Sequence, residues 1–247
     1  MVGGPAGWRK IGYDPLIADW AAAAGAVAVP ALQATDQPLR CGGTWAVGLE
    51  LLHNAADGAV DGVAFPWNAL PLAPMALHRG QLSAIYPGYP QPWQGESDAG
   101  LRFRQTRDAA HLDGLLAVGP KLRRMIREPH AWILGLPLTD CAAAPLVVYE
   151  GSHVLIQTAF HHFLAAQAGD WGDVDLTEIY KATRAQVFAS CRRVEIPVRP
   201  GEATLLHRLT VHGVAPWDAA ENGPDAGRII AYFRPMLASV RDWVLAD

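Results

Sequence analysis

The sequence predicts a mainly β protein with helices at its N-terminus and in one insertion. Three observations carry this. From residue 101 onward, eight short apolar runs are separated by turn-forming residues, over 101–105, 110–113, 131–137, 145–149, 193–198, 203–206, 210–212 and 228–233. Segments 14–25, 154–168 and 175–191 instead repeat apolar residues at helical spacing. Hydrophobic residues are 51% and charged residues 18% of 247, enough to bury a core and too apolar for a disordered chain. Eight short strands with this punctuation make a barrel or a sandwich.

Taken in order, residues 1–13 are glycine-rich and read as surface chain. Asp14-Pro15 opens a helix, because Asp caps free amides and Pro is tolerated at the first helical position. The helix runs through Leu16, Ile17 and Trp20 and is expected to stop near Gly25, with 26–32 extended. Residues 44–53 read as a short helix from the spacing of Trp45, Leu49 and Leu52. Turn signals fill 54–74, where Trp67 is either a core aromatic or a pocket wall. A strand at 82–86 leads into Pro87, Pro90 and Pro92, which lack the ladder donor, so 86–97 is an ordered loop, placed near the mouth of a site. In the strand read at 101–105, Arg102 and Arg104 share a face; with Arg107 they are candidates to hold an acidic ligand. Trp132 is core or pocket wall. The helix over 175–191 opens with Asp175-Leu176-Thr177-Glu178, which resembles a capping box.

Composition narrows the function. Net charge is −4 and Lys and Arg are scattered, so no nucleic-acid footprint is expected. Three cysteines without a Cys-x-x-Cys do not make a disulfide framework. No basic-then-apolar leader is visible, and the longest apolar run, 20–32, reads as too short and too interrupted to span a membrane. The expectation is a cytoplasmic protein with a small-molecule partner, neither nucleic acid nor membrane; oligomeric state is not encoded legibly.

The chemistry centres on His111-Leu112-Asp113. In extended chain, side chains i and i+2 share a face, so one imidazole and one carboxylate converge. A second imidazole would complete a two-His, one-carboxylate face suited to Fe(II), with coordination positions left open. His212, in Thr210-Val211-His212-Gly213-Val214, is the best donor. With nine His and 24 acidic residues, about one His-x-acid pair arises by chance, so the ordered conjunction carries the weight rather than the pair. That conjunction continues with Arg228, sixteen residues after His212, opening the run Arg228-Ile229-Ile230-Ala231-Tyr232-Phe233. Period 2 places Ile230 and Tyr232 on the face of Arg228. His153 reads as a turn residue, His207 as core or outer support, and His161-His162 as solvated.

From about residue 81 to 235 the chain resembles the phytanoyl-CoA dioxygenase family of Fe(II)/2-oxoglutarate oxygenases. The matching pieces are His111-Leu112-Asp113, the run Ala144-Pro145-Leu146-Val147-Val148-Tyr149-Glu150-Gly151-Ser152-His153, then Pro200-Gly201-Glu202-Ala203-Thr204-Leu205-Leu206-His207, Val211-His212-Gly213 and Arg228. The resemblance implies a double-stranded β-helix of jelly-roll, cupin-like form. It implies one domain over 1–247, with 1–80 as an N-terminal elaboration, 81–235 as the core and 154–192 as a helical insertion that could act as a lid. It implies His111, Asp113 and His212 as metal ligands and Arg228 as the clamp on the far carboxylate of 2-oxoglutarate. Fe(II), 2-oxoglutarate and O2 would be the cofactor and co-substrates, and hydroxylation with release of succinate and CO2 the reaction. Halogenases of the wider family carry a small residue where this chain has Asp113, so hydroxylase rather than halogenase chemistry is implied. Two departures are a longer His212–Arg228 gap, with 218–225 reading as an inserted turn, and Val214 where the family often has a hydroxyl residue. A metal cupin that does not use 2-oxoglutarate and a catalytically silent jelly-roll binding protein are the competing readings.

Overall fold

A computed structural model describes residues 2–221 and 223–245. In chain order the elements begin with β1 (Trp8–Ile11), α1 (Pro15–Ala34), β2 (Trp45–Leu52), β3 (Gly80–Ile85) and α2 (Asp98–Arg107). The hairpin β4 (Leu115–Val118) and β5 (Arg123–Ile126) follows, then β6 (Trp132–Pro137) and β7 (Leu146–Glu150). Next come α3 (Ser152–Ala165), α4 (Thr177–Ser190), β8 (Arg192–Ile196) and β9 (Ala203–His207). The described chain ends with β10 (His212–Val214), β11 (Arg228–Phe233) and α5 (Val240–Leu245).

Six strands form one antiparallel sheet in the order β1-β9-β6-β11-β3-β2, and three form a second in the order β10-β7-β8. The sheets pack face to face through a shared apolar cluster, and no ladder joins them among the described residues. Strand periodicity divides the core. On β11, Ile229, Ala231 and Phe233 turn to the outer face, where they meet Leu82, Leu134, Leu205 and the α1 stripe Ile17, Trp20, Ala24 and Ala28. Ile133 and Leu206 turn inward and meet Leu146, Val148 and Ile196 of the second sheet. Val147 and Tyr149, on the other face of β7, pack with Ile156 and Phe160 of α3 and Val187 of α4. The result is four layers: helix, sheet, sheet, helices. Both edge strands of the large sheet, β1 and β2, come from the first 80 residues.

Several elements differ from the sequence expectation. The helix that opens at Asp14, whose carboxylate accepts the Leu16 amide at 2.8 Å, continues to Ala34 instead of stopping at Gly25. Gly25 sits where a Cβ would lie 3.1 Å from the Leu138 carbonyl, so it serves close packing rather than helix termination. Pro30 removes one amide donor, but Pro30 and Ala26, whose carbonyl loses that donor, both face solvent. By length and composition α1 could cross a membrane; here its buried stripe lies against the sheet. The helix read over 44–53 is instead strand β2, Trp45–Leu52. Gly48 has φ +58° and the pairing with β3 slips between Ala46 and Leu49, so a bulge breaks the period of two. Residues 101–105 lie in helix α2, whose N-cap Ser97 accepts the Gly100 amide at 3.2 Å. Residues 110–113 join no ladder beyond a single bridge, His111 to His212. The strand read at 210–212 starts at His212. The surface chain of 1–13 contains β1.

His207 and His153 pack as tilted rings with centroids 4.9 Å apart in the interior, and His153 lies in α3 rather than in a turn. The His207 Nδ1 accepts the Leu209 amide at 3.2 Å, so the ring is neutral. Burial, with Arg208 and His153 beside it, pushes its pKa down to about 3. The unfolded chain therefore takes up this proton near pH 6.5 and the folded chain only near 3, so stability falls as the pH drops between those values. His207→Asn keeps an acceptor and removes the titration. Urea midpoints at pH 7 and 4.5 should show the wild type losing about 2–3 kcal/mol more than the variant.

Candidate metal centre

His111 and His212 are fixed to each other through their backbones. The His111 amide donates to the His212 carbonyl at 2.8 Å, and the His212 amide to the His111 carbonyl at 3.1 Å. Their rings come to rest with centroids 4.8 Å apart. Asp113, two residues on, joins the same face, and one candidate ligand atom from each of the three residues lies within 4.8 Å of the others.

The ring orientations are set from behind. His111 Nδ1 donates to the Ala109 carbonyl at 3.1 Å and His212 Nδ1 to the Thr210 carbonyl at 2.9 Å. Both Nε2 atoms thus point at Asp113, at 3.1 Å and 3.8 Å from its carboxylate oxygens. Adjacent ligands on an octahedral metal with bonds of about 2.1 Å are about 3 Å apart, so these separations fit a common ion.

The chain enters this arrangement through an unusual turn. Asp108 and Ala109 both adopt left-handed backbone, φ +58° and +52°. Buried Asp108 holds the turn in place. It accepts from Arg193 Nη2 and Nε at 2.6 and 2.8 Å and from the Tyr149 hydroxyl at 3.2 Å. Its carbonyl accepts the Val214 amide at 2.9 Å. A Cβ on Gly213 would lie 2.1 Å from that same carbonyl, so the glycine after His212 is needed for close approach. Gly114, φ +89°, turns the chain away after Asp113.

One charged residue at the centre was not foreseen. Arg234, one position beyond β11, donates from Nη1 to Asp113 Oδ2 at 2.6 Å and from Nε to Gln81 Oε1 at 2.9 Å. Its only sequence signal is parity, because it shares a face with Arg228, Ile230 and Tyr232. Burial opposes ionisation of Asp113, but Arg234, His111 and His212 together hold its carboxyl well below the usual range. Burial likewise opposes a charge on His111, but the Asp113 hydrogen bond, the Asp113 charge and the Ala109 carbonyl together outweigh it, leaving the pKa raised. Burial pushes His212 down to about 4, Asp113 only partly offsetting it, so at neutral pH this ring is an uncharged donor.

The centre opens into a cavity whose other walls include Trp45, Ser83, Ile133, Leu146, Val214 and Tyr232. Tyr89, from the loop over 86–97, packs edge-on against Trp45. Arg228 lies at the head of β11 on the Tyr232 face, opposite Ile85, and is 2% exposed. It does not line the cavity. Its Nη1 is buried without a hydrogen-bond partner, and it makes no ion pair with any described residue. Arg102, Arg104 and Arg107 are on α2, away from the cavity wall; Arg104 is paired with Glu96 and Arg107 lies over Phe188. Trp67 and Trp132 pack with the outer core, not the cavity. His161 and His162 are exposed on α3. The insertion does reach the centre, since the Leu112 amide donates to the Tyr180 hydroxyl of α4 at 3.1 Å.

No family model matches the chain, and neither does any curated protein. Among solved structures it is similar to the non-heme alpha-ketoglutarate-dependent carbocyclase SnoK from nogalamycin biosynthesis, with 14% identity over 96% of this chain and 85% of that one and a TM-score of 0.43. It is also similar to AviO1 from Streptomyces viridochromogenes Tue57, with 22% identity over 53% of this chain and 43% of that one and a TM-score of 0.28. For asparagine oxygenase the values are 18%, 66%, 56% and 0.31. The chain spans less than two thirds of the latter two proteins. At these identities and scores the function has to be read from the side chains themselves.

Proposed function

We propose that the protein is an Fe(II)/2-oxoglutarate-dependent dioxygenase of the phytanoyl-CoA dioxygenase type, hydroxylating a small molecule with release of succinate and CO2. The observation that carries the reading is the centre itself: two imidazole Nε2 atoms and one carboxylate aimed at one point, with a cavity on the open side. His111, Asp113 and His212 would hold the metal. The second support is Arg228 at the head of β11, whose Nη1 is buried without a hydrogen-bond partner. An unpaired buried charge is costly, and a carboxylate ligand is the natural complement of a planar fork. Iron, 2-oxoglutarate and O2 supply the oxidising chemistry when bound.

The chain's own residues have separate tasks. Ala109 and Thr210 carbonyls keep protons on Nδ1 and free Nε2 for the metal. Arg234 keeps Asp113 ionised. Trp45, Ile133, Leu146 and Val214 keep bulk water from the reacting C–H bond. Asp113 fills the place a halide would need, which favours oxygen over halogen transfer.

The test is substrate-stimulated succinate release across a compound library, followed by mass analysis of the stimulating compound. A product heavier by one oxygen supports the reading; a chlorinated product in excess chloride would sink it. A silent jelly roll would hold no stoichiometric iron, and a cupin that ignores 2-oxoglutarate would have no use for Arg228. Arg228→Ala should therefore weaken 2-oxoglutarate binding by roughly thirty-fold or more, from about 2–5 kcal/mol for a lost buried charge pair. Iron affinity should hardly move. An unchanged 2-oxoglutarate titration would transfer the clamp to Arg234, the arginine that lines the cavity.

A further inference from the structure

We propose that the substrate is an organic anion, and that Arg40, Arg124 and Arg184 hold its carboxylate or phosphate-ester end at the mouth of the metal centre. The proposal rests on the dioxygenase reading and names the substrate class for that site. A cleft of about 350 Å³, lined in part by α4, opens onto His111 and Asp113. Its charged walls are Arg40, Arg124, Arg184 and Arg234 against Asp113 and Glu128, four cations to two anions, on a chain of net charge −4. Arg234 and Asp113 neutralise each other, and Glu128 lies 3.3 Å from His130.

The other three arginines have no carboxylate partner among the described residues. Arg40 is tied to Trp45 by backbone bonds alone. Arg124 Nη1 donates to the Leu115 carbonyl at 3.3 Å. Arg184 lies over the rings of Phe103 and Tyr180, at 5.0 and 5.1 Å. Beside the cleft, by contrast, Arg123 is paired with Asp175 and Glu178 and Arg127 with Asp173. Like charges gathered round one opening repel, and an oxyanion in the cleft removes that cost. A guanidinium held over aromatic rings is already oriented; that of Arg184 also hydrogen-bonds the Tyr180 hydroxyl, and its remaining donors face an oxyanion. Tyr180 links the two sites, because its ring lies under Arg184 and its hydroxyl accepts the Leu112 amide between His111 and Asp113. An anion held at Arg184 would therefore extend its carbon chain toward the open face of the metal centre.

The experiment uses metal-free protein, titrated separately with inorganic pyrophosphate and with citrate. Calorimetry gives the readout. The same titrations are run on Arg124→Gln/Arg184→Gln. At least one anion should bind the wild type, about tenfold or more tighter than the double variant, and added salt should weaken it. The tighter arm assigns the phosphate-ester or the carboxylate class. Iron and 2-oxoglutarate binding should be the same in both proteins. Absent binding, or equal binding to both proteins, overturns the proposal. So does loss of 2-oxoglutarate binding in the double variant, which would give these arginines to the co-substrate. Failure of the wild type to bind 2-oxoglutarate with Fe(II) strikes the dioxygenase reading alone, and the pyrophosphate and citrate titrations still decide the cleft.

Discussion

His212→Ala should give a folded protein that binds no stoichiometric Fe(II) and releases no succinate. His212 is 7% exposed and its imidazole is uncharged at neutral pH, so it offers a lone pair without first giving up a proton. Removing it leaves one imidazole and one carboxylate, too few to define a face on the metal. The cost to stability should be modest, because His212 keeps its backbone bridge to His111 and loses only the ring. Asp113→Ala should be equally dead but less stable. It strands Arg234, whose guanidinium then has Gln81 as its remaining side-chain partner. Iron content by metal analysis and urea midpoints, measured together, separate the two effects. Full iron occupancy in His212→Ala would remove His212 from the ligand set. Lower pH should weaken iron binding in the wild type first through His111, whose raised pKa makes protons the earlier competitor there.

The centre was legible because its marks are local. His111 and Asp113 share a face in any extended chain, and His212 is followed by a glycine that the close approach of the Asp108 carbonyl requires. The run from Arg228 to Phe233 is strand β11 with the expected bounds, since each inward side chain has an apolar neighbour behind it in the alternation. Residues 44–53 misled because Gly48 inserts a bulge, and a slipped period of two imitates a helical one. Residues 101–105 misled because alternating Arg and Phe look like a strand edge, whereas Ser97 four residues earlier caps a helix. Arg234 and the cleft arginines could not be seen in advance. Arg234 stands one residue outside its strand, and Arg40, Arg124 and Arg184 come from three distant stretches that only the folded chain brings to one opening.

Asp108→Ala should be among the most damaging changes away from the metal ligands. Asp108 is 2% exposed and accepts both Arg193 contacts and the Tyr149 hydroxyl. Its loss leaves the Tyr149 hydroxyl without this acceptor and Arg193 with only the exposed Glu195. Breaking a buried pair by removing one partner costs about 3–5 kcal/mol; Arg193 is 39% exposed, so about 2–4 kcal/mol is the better expectation here. The same change loosens the left-handed turn that delivers His111, so iron affinity should fall by about 10–100-fold even in the protein that remains folded. Asp108→Asn keeps the shape and one acceptor oxygen and should fall between. The contrast is Glu150→Ala, which removes a long 3.3 Å bond from Trp8 Nε1 and breaks the pair with Arg192, itself 71% exposed. That pair is worth about 0–1 kcal/mol and touches nothing at the centre, so both midpoint and iron affinity should stay near wild type. Urea unfolding of the metal-free variants, with iron titration of each, decides between the two outcomes. If Asp108→Ala and Glu150→Ala behave alike, the Asp108 network is not what positions His111.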